Sequence, residues 1–331
     1  MELFVMAVGT IVAGVLGCVF WFWGSNLVLD SIYPARGENA GDNIRRANMI
    51  RPWLFVGPAV LFLGLYLVYP VFDSFWRSLH NADGSEFVGA GNYLWALGDD
   101  KFREAIWNNL LWLLVVPALS TIFGLIAAQL TDRIGWGNIG KSLIFMPMAI
   151  SFVGAGVIWK LVYEFRESGE AQIGLLNWAV TKLGGEPQIW LTLMPWNNVF
   201  LMIVLVWIQT GFAMVILSAA LRGIPEETIE AAILDGASPW QVFFRIKVPQ
   251  IMGTIAVVWT TITIVVLKVF DIVFVMTNGQ WGTQVLANLM YDWMFRGTPD
   301  YGRGSAIAIV LMIVVTPIMV WNIRNARKEA G

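Results

Sequence analysis

The residues that first suggest chemistry are Gly135-Trp136-Gly137-Asn138-Ile139-Gly140-Lys141-Ser142, which satisfy the phosphate-loop pattern G-x-x-x-x-G-K-S/T letter for letter. A working phosphate loop needs a buried strand before it, a helix after it and a Walker-B acid on a neighbouring strand. Here an apolar run long enough to cross a membrane lies on each side, and no apolar strand ending in paired acids is present. The segment reads as a glycine-rich turn with an anchoring lysine, so no ATP hydrolysis is expected of this chain. Other reactive constellations are also missing. One histidine, His80, and one cysteine, Cys18, cannot build a zinc site or an intrachain disulfide. No catalytic residue and no metal site are assigned.

Charges inside apolar runs are the next candidates, because each costs roughly 2.5–3.5 kcal/mol at the bilayer centre. Lys160, Lys268 and Asp271 qualify. One reading is structural: the lysines snorkel to the interface, and Lys268 pairs with Asp271 at i, i+3. The other gives them a role in an external gate or a substrate path.

The elements that must position these groups are membrane helices. Of 331 residues 57% are hydrophobic and 13% charged, with a mean hydropathy of +0.66, against about 25% charged in a soluble domain. A net charge of −2 with scattered Lys and Arg argues against nucleic acid as a partner. Seven stretches have the roughly 20 apolar residues that a spanning helix needs: 2–23, 52–72, 106–130, 142–163, 198–221, 252–272 and 305–322. Period-2 alternation, the mark of a membrane barrel, is missing, and the chain is expected to be an all-α polytopic membrane protein.

Orientation follows from the basic residues in the connections. Twelve Lys and Arg, including Arg36, Arg45, Arg46, Arg51, Arg133, Lys141, Arg222, Arg327 and Lys328, fall on one side; seven, spread over longer loops, fall on the other. The first side is expected to be cytoplasmic, placing the N-terminus outside and the C-terminus inside. Residues 24–51 read as a cytoplasmic linker, which sets off 1–51, 52–105, 106–323 and the tail 324–331 as the parts of the chain. With Glu2 as the only early charge, the first apolar run reads as an uncleaved span rather than a secretion signal. Trp21, Trp23, Trp53 and Trp321 at span ends read as interfacial belts. In the external stretch 164–197, residues 174–180 suggest a short amphipathic helix that either braces a docked receptor or packs over the helix ends.

One cytoplasmic connection, 222–251, is longer and organised. Pro225, Glu226 and Glu227 open a helix that runs through Asp235 and stops at Gly236. Ser238, Pro239 and Gln241 open a second through an S-x-x-Q capping box, and that helix is expected to end before Pro249. An amphipathic hairpin in the headgroup layer is one reading. The order Glu230-Ala231-Ala232, Gly236, Ile246, Val248, Pro249 carries another: it resembles the E-A-A-x3-G-x9-I-x-L-P signature of binding-protein-dependent ABC importer permeases, with Val248 in place of Leu.

Further stretches resemble sugar permeases of the maltose type, the α-glucoside branch in particular. They are Gly91-Asn92-Tyr93 with Phe102 and Asn109, Pro147 with Trp159, Asn177 with Trp190-Leu191, and Phe270-Asp271 with Thr277-Asn278-Gly279; Gln280-Trp281 departs from the usual Gly-Gly-Pro. The resemblance implies the type I ABC importer fold, with 225–248 as coupling helices. Glu230, Ala231, Ala232, Asp235, Gly236, Ile246 and Pro249 would then contact or shape the ATPase interface. It also implies a second related permease, a homodimeric ATPase that uses ATP and Mg, and a periplasmic sugar-binding protein, with no cofactor on this chain. For a carried sugar, Trp207, Gln209 and Thr210, with Trp259, Thr260, Thr261 and Thr263, offer hydrogen bonds and indole faces at mid-depth; interhelical hydrogen bonding is the competing use of the same groups. An ion-coupled secondary transporter is the alternative function, and it would need mid-depth carboxylates that the spans lack.

Overall fold

The computed structural model describes residues 2–36, 39–132, 134–167 and 169–329. Arg133, counted above for orientation, lies outside the described residues, as do the side chains of Trp321, Arg327 and Lys328. The chain divides into two compact units, Met1–Asp73 and Ser74–Gly331.

In the first unit α1 (Glu2–Ile32) and α2 (Ala40–Leu63) form a helical pair. The stretch 24–51, expected as a linker, is therefore mostly helix, and residues 33–39 make the connection. Gly24-Ser25-Asn26 does not stop α1; Ser25 Oγ and Asn26 Nδ2 both donate back to the Phe22 carbonyl, so their polar groups are satisfied within the helix. Arg51 is used internally, donating Nε to Asn26 Oδ1 at 3.1 Å and pairing with Asp30 at 2.5 Å. After α2 the helix widens into a π turn, Gly64–Val68, and continues as α3 (Tyr69–Ser78) into the second unit. The wide turn has a local cause. Pro70 has no N–H for the Tyr66 carbonyl and would crowd it, and Tyr69 instead donates one residue further back, to Gly64.

The second unit holds α4 (Gly91–Gly98), α5 (Asp100–Thr131), α6 (Gly137–Phe145) and α7 (Phe152–Val162), then α8 (Leu175–Lys182) and α9 (Asn197–Arg222). It closes with α13 (Met252–Leu267), α14 (Asp271–Met276), α15 (Leu286–Phe295) and α16 (Tyr301–Glu329), after three short helices, α10 to α12, within 226–250. Helices α5 and α9 form its spine. They approach so closely at Gly124 that a Cβ there would fall on Ala213 and the Met214 backbone. Trp112, Val116, Leu201, Leu205, Met214 and Ile262 fill the core around them.

Among the described residues five helices are long and apolar enough to cross a membrane, and up to seven if each of two bent pairs counts as one span. The bends depart from the straight runs expected at 142–163 and 252–272. Residues 137–149 and 152–162 meet at 107°, because Pro147 ends regular helix in a 3-10 turn and Ser151 caps a new helix by accepting from Gly154 N at 3.1 Å. The run 252–272 stops at Leu267, and Lys268–Phe270 separate α13 from α14. That break removes the helical i, i+3 spacing of Lys268 and Asp271, and the two form no ion pair with each other.

Candidate functional site

The insert 222–251 is built by local rules. Helix α9 ends at Arg222, and Pro225 precedes α10 (Glu226–Leu234) with Glu226 and Glu227 in its first turn. At its end Gly236 has φ +83°. Ala237 N donates to Ala232 O and Gly236 N to Ile233 O, both at 3.0 Å, which is the Schellman pattern of a left-handed cap. The capping box forms as expected: Ser238 N donates to Gln241 Oε1 at 2.7 Å, and Gln241 N to Ser238 Oγ at 3.4 Å.

The stop expected before Pro249 is not observed. Beyond α11 (Pro239–Gln241) the chain widens into a π turn, Val242–Lys247, and runs on as α12 (Val248–Gln250), 69° from α13. The cause is the one seen at Pro70: Val248 donates to Phe243 because Pro249 cannot bond to Arg245.

Within the insert, Ala232 and Val242 are buried and Ile246 is half-buried, where α10 packs on the π turn. Glu230, Ala231, Asp235, Gly236 and Pro249 are exposed. So are large apolar side chains, Leu234 at 87% and Trp240 at 72%, the latter stacked on Phe244 with centroids 5.7 Å apart.

The residues expected along a sugar path separate into groups. Trp207 and Thr210 line a cavity of about 480 Å³ between α5, α6, α7 and α9, together with Leu119, Phe123 and Trp159. The Trp159 and Trp207 rings meet edge to face at 5.7 Å. Gln209, on the other side of α9, is buried. Trp259, Thr260 and Thr263 do not line this cavity. The hydroxyls of Thr210, Thr261 and Thr263 donate to carbonyls four residues back on their own helices, at 2.7–2.8 Å. Their protons are thus spent within one helix, and lone pairs are what they can offer a ligand. Lys268 is exposed, Asp271 begins α14, and Lys160 donates to the Val275 carbonyl at 3.4 Å.

Sequence reasoning missed two features. Trp159 enters the cavity because of the bend at Pro147–Ser151, for which Pro147 within an apolar run was the available signal. The second is a buried amide network. Asn108 donates to the carbonyls of Gly282 and Gln284, Asn198 to Asn108 Oδ1 and Gly282 O, and Leu286 N to Asn109 Oδ1. These bonds hold the 277–286 loop, in which Asn278, Gly279, Trp281 and Gly282 all have positive φ. The doublets Asn108-Asn109 and Asn197-Asn198 were its trace in the sequence. In the stretch 164–197, Asn177 on α8 donates to Glu164 O and Gln188 O and accepts from Gln188 N, pinning both ends of that loop.

Residues 120–326 match the family described as "binding-protein-dependent transport system inner membrane component". The chain belongs to that family. It is a multi-pass inner-membrane permease component of an ABC importer and is not itself the ATPase; the ion-coupled alternative is set aside. The permease is 68% identical, over 100% of its length and 99% of the relative's, to the alpha-glucoside transport system permease protein AglF of Rhizobium meliloti. It is 50% identical to the osmoprotective compounds uptake permease protein GgtC of Synechocystis, with 83% of this chain and 99% of the relative aligned. Its fold is similar to that of a chain in the crystal structure of a bacterial ABC transporter involved in the import of the acidic polysaccharide alginate. The TM-score is 0.73 and the identity 20%, with 88% of this permease and 99% of that chain covered.

Proposed function

We propose that this permease forms half of the path of an α-glucoside importer and that residues 225–248 couple it to a separate ATPase. The substrate class rests on full-length likeness to an α-glucoside permease. The coupling role rests on one observation: the insert is capped at both turns yet leaves Leu234, Trp240 and Glu230 exposed. Exposed apolar side chains on a capped scaffold are what a docking surface requires.

Glu230 supplies a charge-assisted contact to a basic group of the ATPase, and Gly236 sets the angle between the two helices. Orientation follows the arginine and lysine count, with the insert and C-terminus cytoplasmic and the N-terminus periplasmic. A periplasmic binding protein delivers sugar outside, and ATPase closure moves the insert inside. The sugar rests against Trp207 and Trp159, whose rings suit its C–H face, while Thr210 accepts a hydroxyl. A second permease closes the path, and each ligand shifts the equilibrium only by its differential affinity for the two states.

A gentle detergent pull-down of the tagged chain from its native membrane tests this reading. The expected eluate contains a second permease and a cytosolic ATPase whose activity rises with α-glucoside-loaded binding protein. A stable lone chain without an ATPase leaves 225–248 as a hairpin in the headgroup layer and ends the coupling assignment.

A further inference from the structure

The lysine of the phosphate-loop look-alike has a different task. Asp132 follows the last residue of α5, where the negative end of the helix dipole disfavours a carboxylate. Lys141 on α6 donates to it, and Arg222 Nε, from the last residue of α9, lies 3.6 Å from its Oδ1. Between them sits the Ser218 hydroxyl of α9, 1% exposed. It donates to Asp132 at 3.1–3.2 Å and accepts from Lys141 Nζ at 2.7 Å and Arg222 Nη2 at 3.1 Å. A hydroxyl has one proton and two lone pairs, so Ser218 is fully used by groups from three elements.

These are three of the four elements that line the 480 Å³ cavity, α7 being the fourth, and they leave each other no room to slide. A Cβ at Gly211 would meet the Ile144 carbonyl, and one at Gly137 the Thr131 carbonyl. Only Gly223, Ile224 and Pro225 separate Arg222 from α10.

We propose that Ser218, Asp132 and Lys141 are positioning residues that lock α5, α6 and α9 into one body, so that displacement of the coupling insert reaches the cavity wall undiminished. The proposal rests on the reading of 225–248 as the ATPase-coupling insert. The cluster touches neither substrate nor nucleotide; it acts through the helices that it joins.

The test is the complete importer, both permeases with the ATPase, reconstituted in vesicles with sugar-loaded binding protein, and the readout is ATP hydrolysed per sugar carried by assembled complex. Asp132→Asn, Ser218→Ala and Lys141→Met are expected to keep the ATPase bound and turning over while that ratio rises about tenfold, within the range for residues along a coupling network. Lys141→Arg, which retains the cation, is expected to stay near wild type. A purely structural cluster lowers the yield of complex and leaves the ratio alone. The hub is overturned if the ratio is unchanged in whichever of the three variants assemble, or if Lys141→Arg uncouples as fully as Lys141→Met. Glu230→Lys run alongside separates the two readings. If it uncouples and Asp132→Asn does not, the hub alone fails; if neither does, the coupling insert fails as well.

Discussion

Gly236 shows how much one backbone angle carries. Its φ of +83° lies where side chains are strained, yet nothing stands within 4 Å of the position a Cβ would take. Alanine there meets only the left-handed penalty, about 1–2 kcal/mol, and Gly236→Ala should retain most sugar uptake. Proline is different in kind: it cannot reach positive φ, and it removes the N–H that bonds to Ile233 O. Gly236→Pro should insert at normal levels, since the insert lies outside the spans, and yet lose uptake; Glu230→Lys should do the same because Glu230 is exposed. Uptake assays normalised to membrane protein decide it, and wild-type uptake by Gly236→Pro would sink the coupling role. These residues were legible in the sequence because capping is local, with Gly236, Ser238 and Gln241 acting within a few positions. Trp207 and Gln209 were not separable in that way. Two residues apart on α9, they face a cavity and the core respectively, and which is which depends on α5 and α7, far away in sequence.

At the scale of elements, hydropathy locates apolar runs and says nothing of their direction. Seven runs were legible, but the 107° bend at residues 150–151 and the break at 268–270 leave composition unchanged. The two π turns are more instructive. Each runs into a proline, Pro70 or Pro249, and each carries the helix past it; the sequence reading ran the span 52–72 through Pro70 but ended the second helix before Pro249. The wider turn also resets the azimuth of the residues before it, since one residue spans about 100° of a regular helix. At Pro249 that reset aims Trp240 and Phe244. Pro249→Ala lets Arg245 O receive an N–H and favours a regular α turn, which should rotate this pair away from its present face. The expected outcome is unchanged or higher thermal stability in detergent, with weaker retention of the ATPase by about tenfold, ~1.4 kcal/mol. Co-purification at graded ATPase concentration measures it; undiminished retention would mean that the aromatic pair lies outside the interface.

For the molecule as a whole, burial divides the labour. The spine of α5 and α9 is packed, whereas the 18-residue apolar window of α1 has no buried residue, and its side chains suit lipid rather than a protein core. The basic residues Arg45, Arg46 and Arg51 precede the apolar part of α2 and follow α1. On the orientation proposed above, the positive-inside preference lets them hold the start of α2 in the cytoplasm whether or not α1 is present. A variant lacking residues 2–36 should insert with its core facing the same way and should carry sugar at a rate near wild type. Single cysteines placed in the 277–286 loop and in the insert, probed with a membrane-impermeant thiol reagent after Cys18 is removed with the deletion, report the orientation directly. Labelling of the insert from outside would show that α1 sets the topology of every later span. Correct orientation with lost uptake would instead make α1 part of the transport machinery, despite its unburied surface.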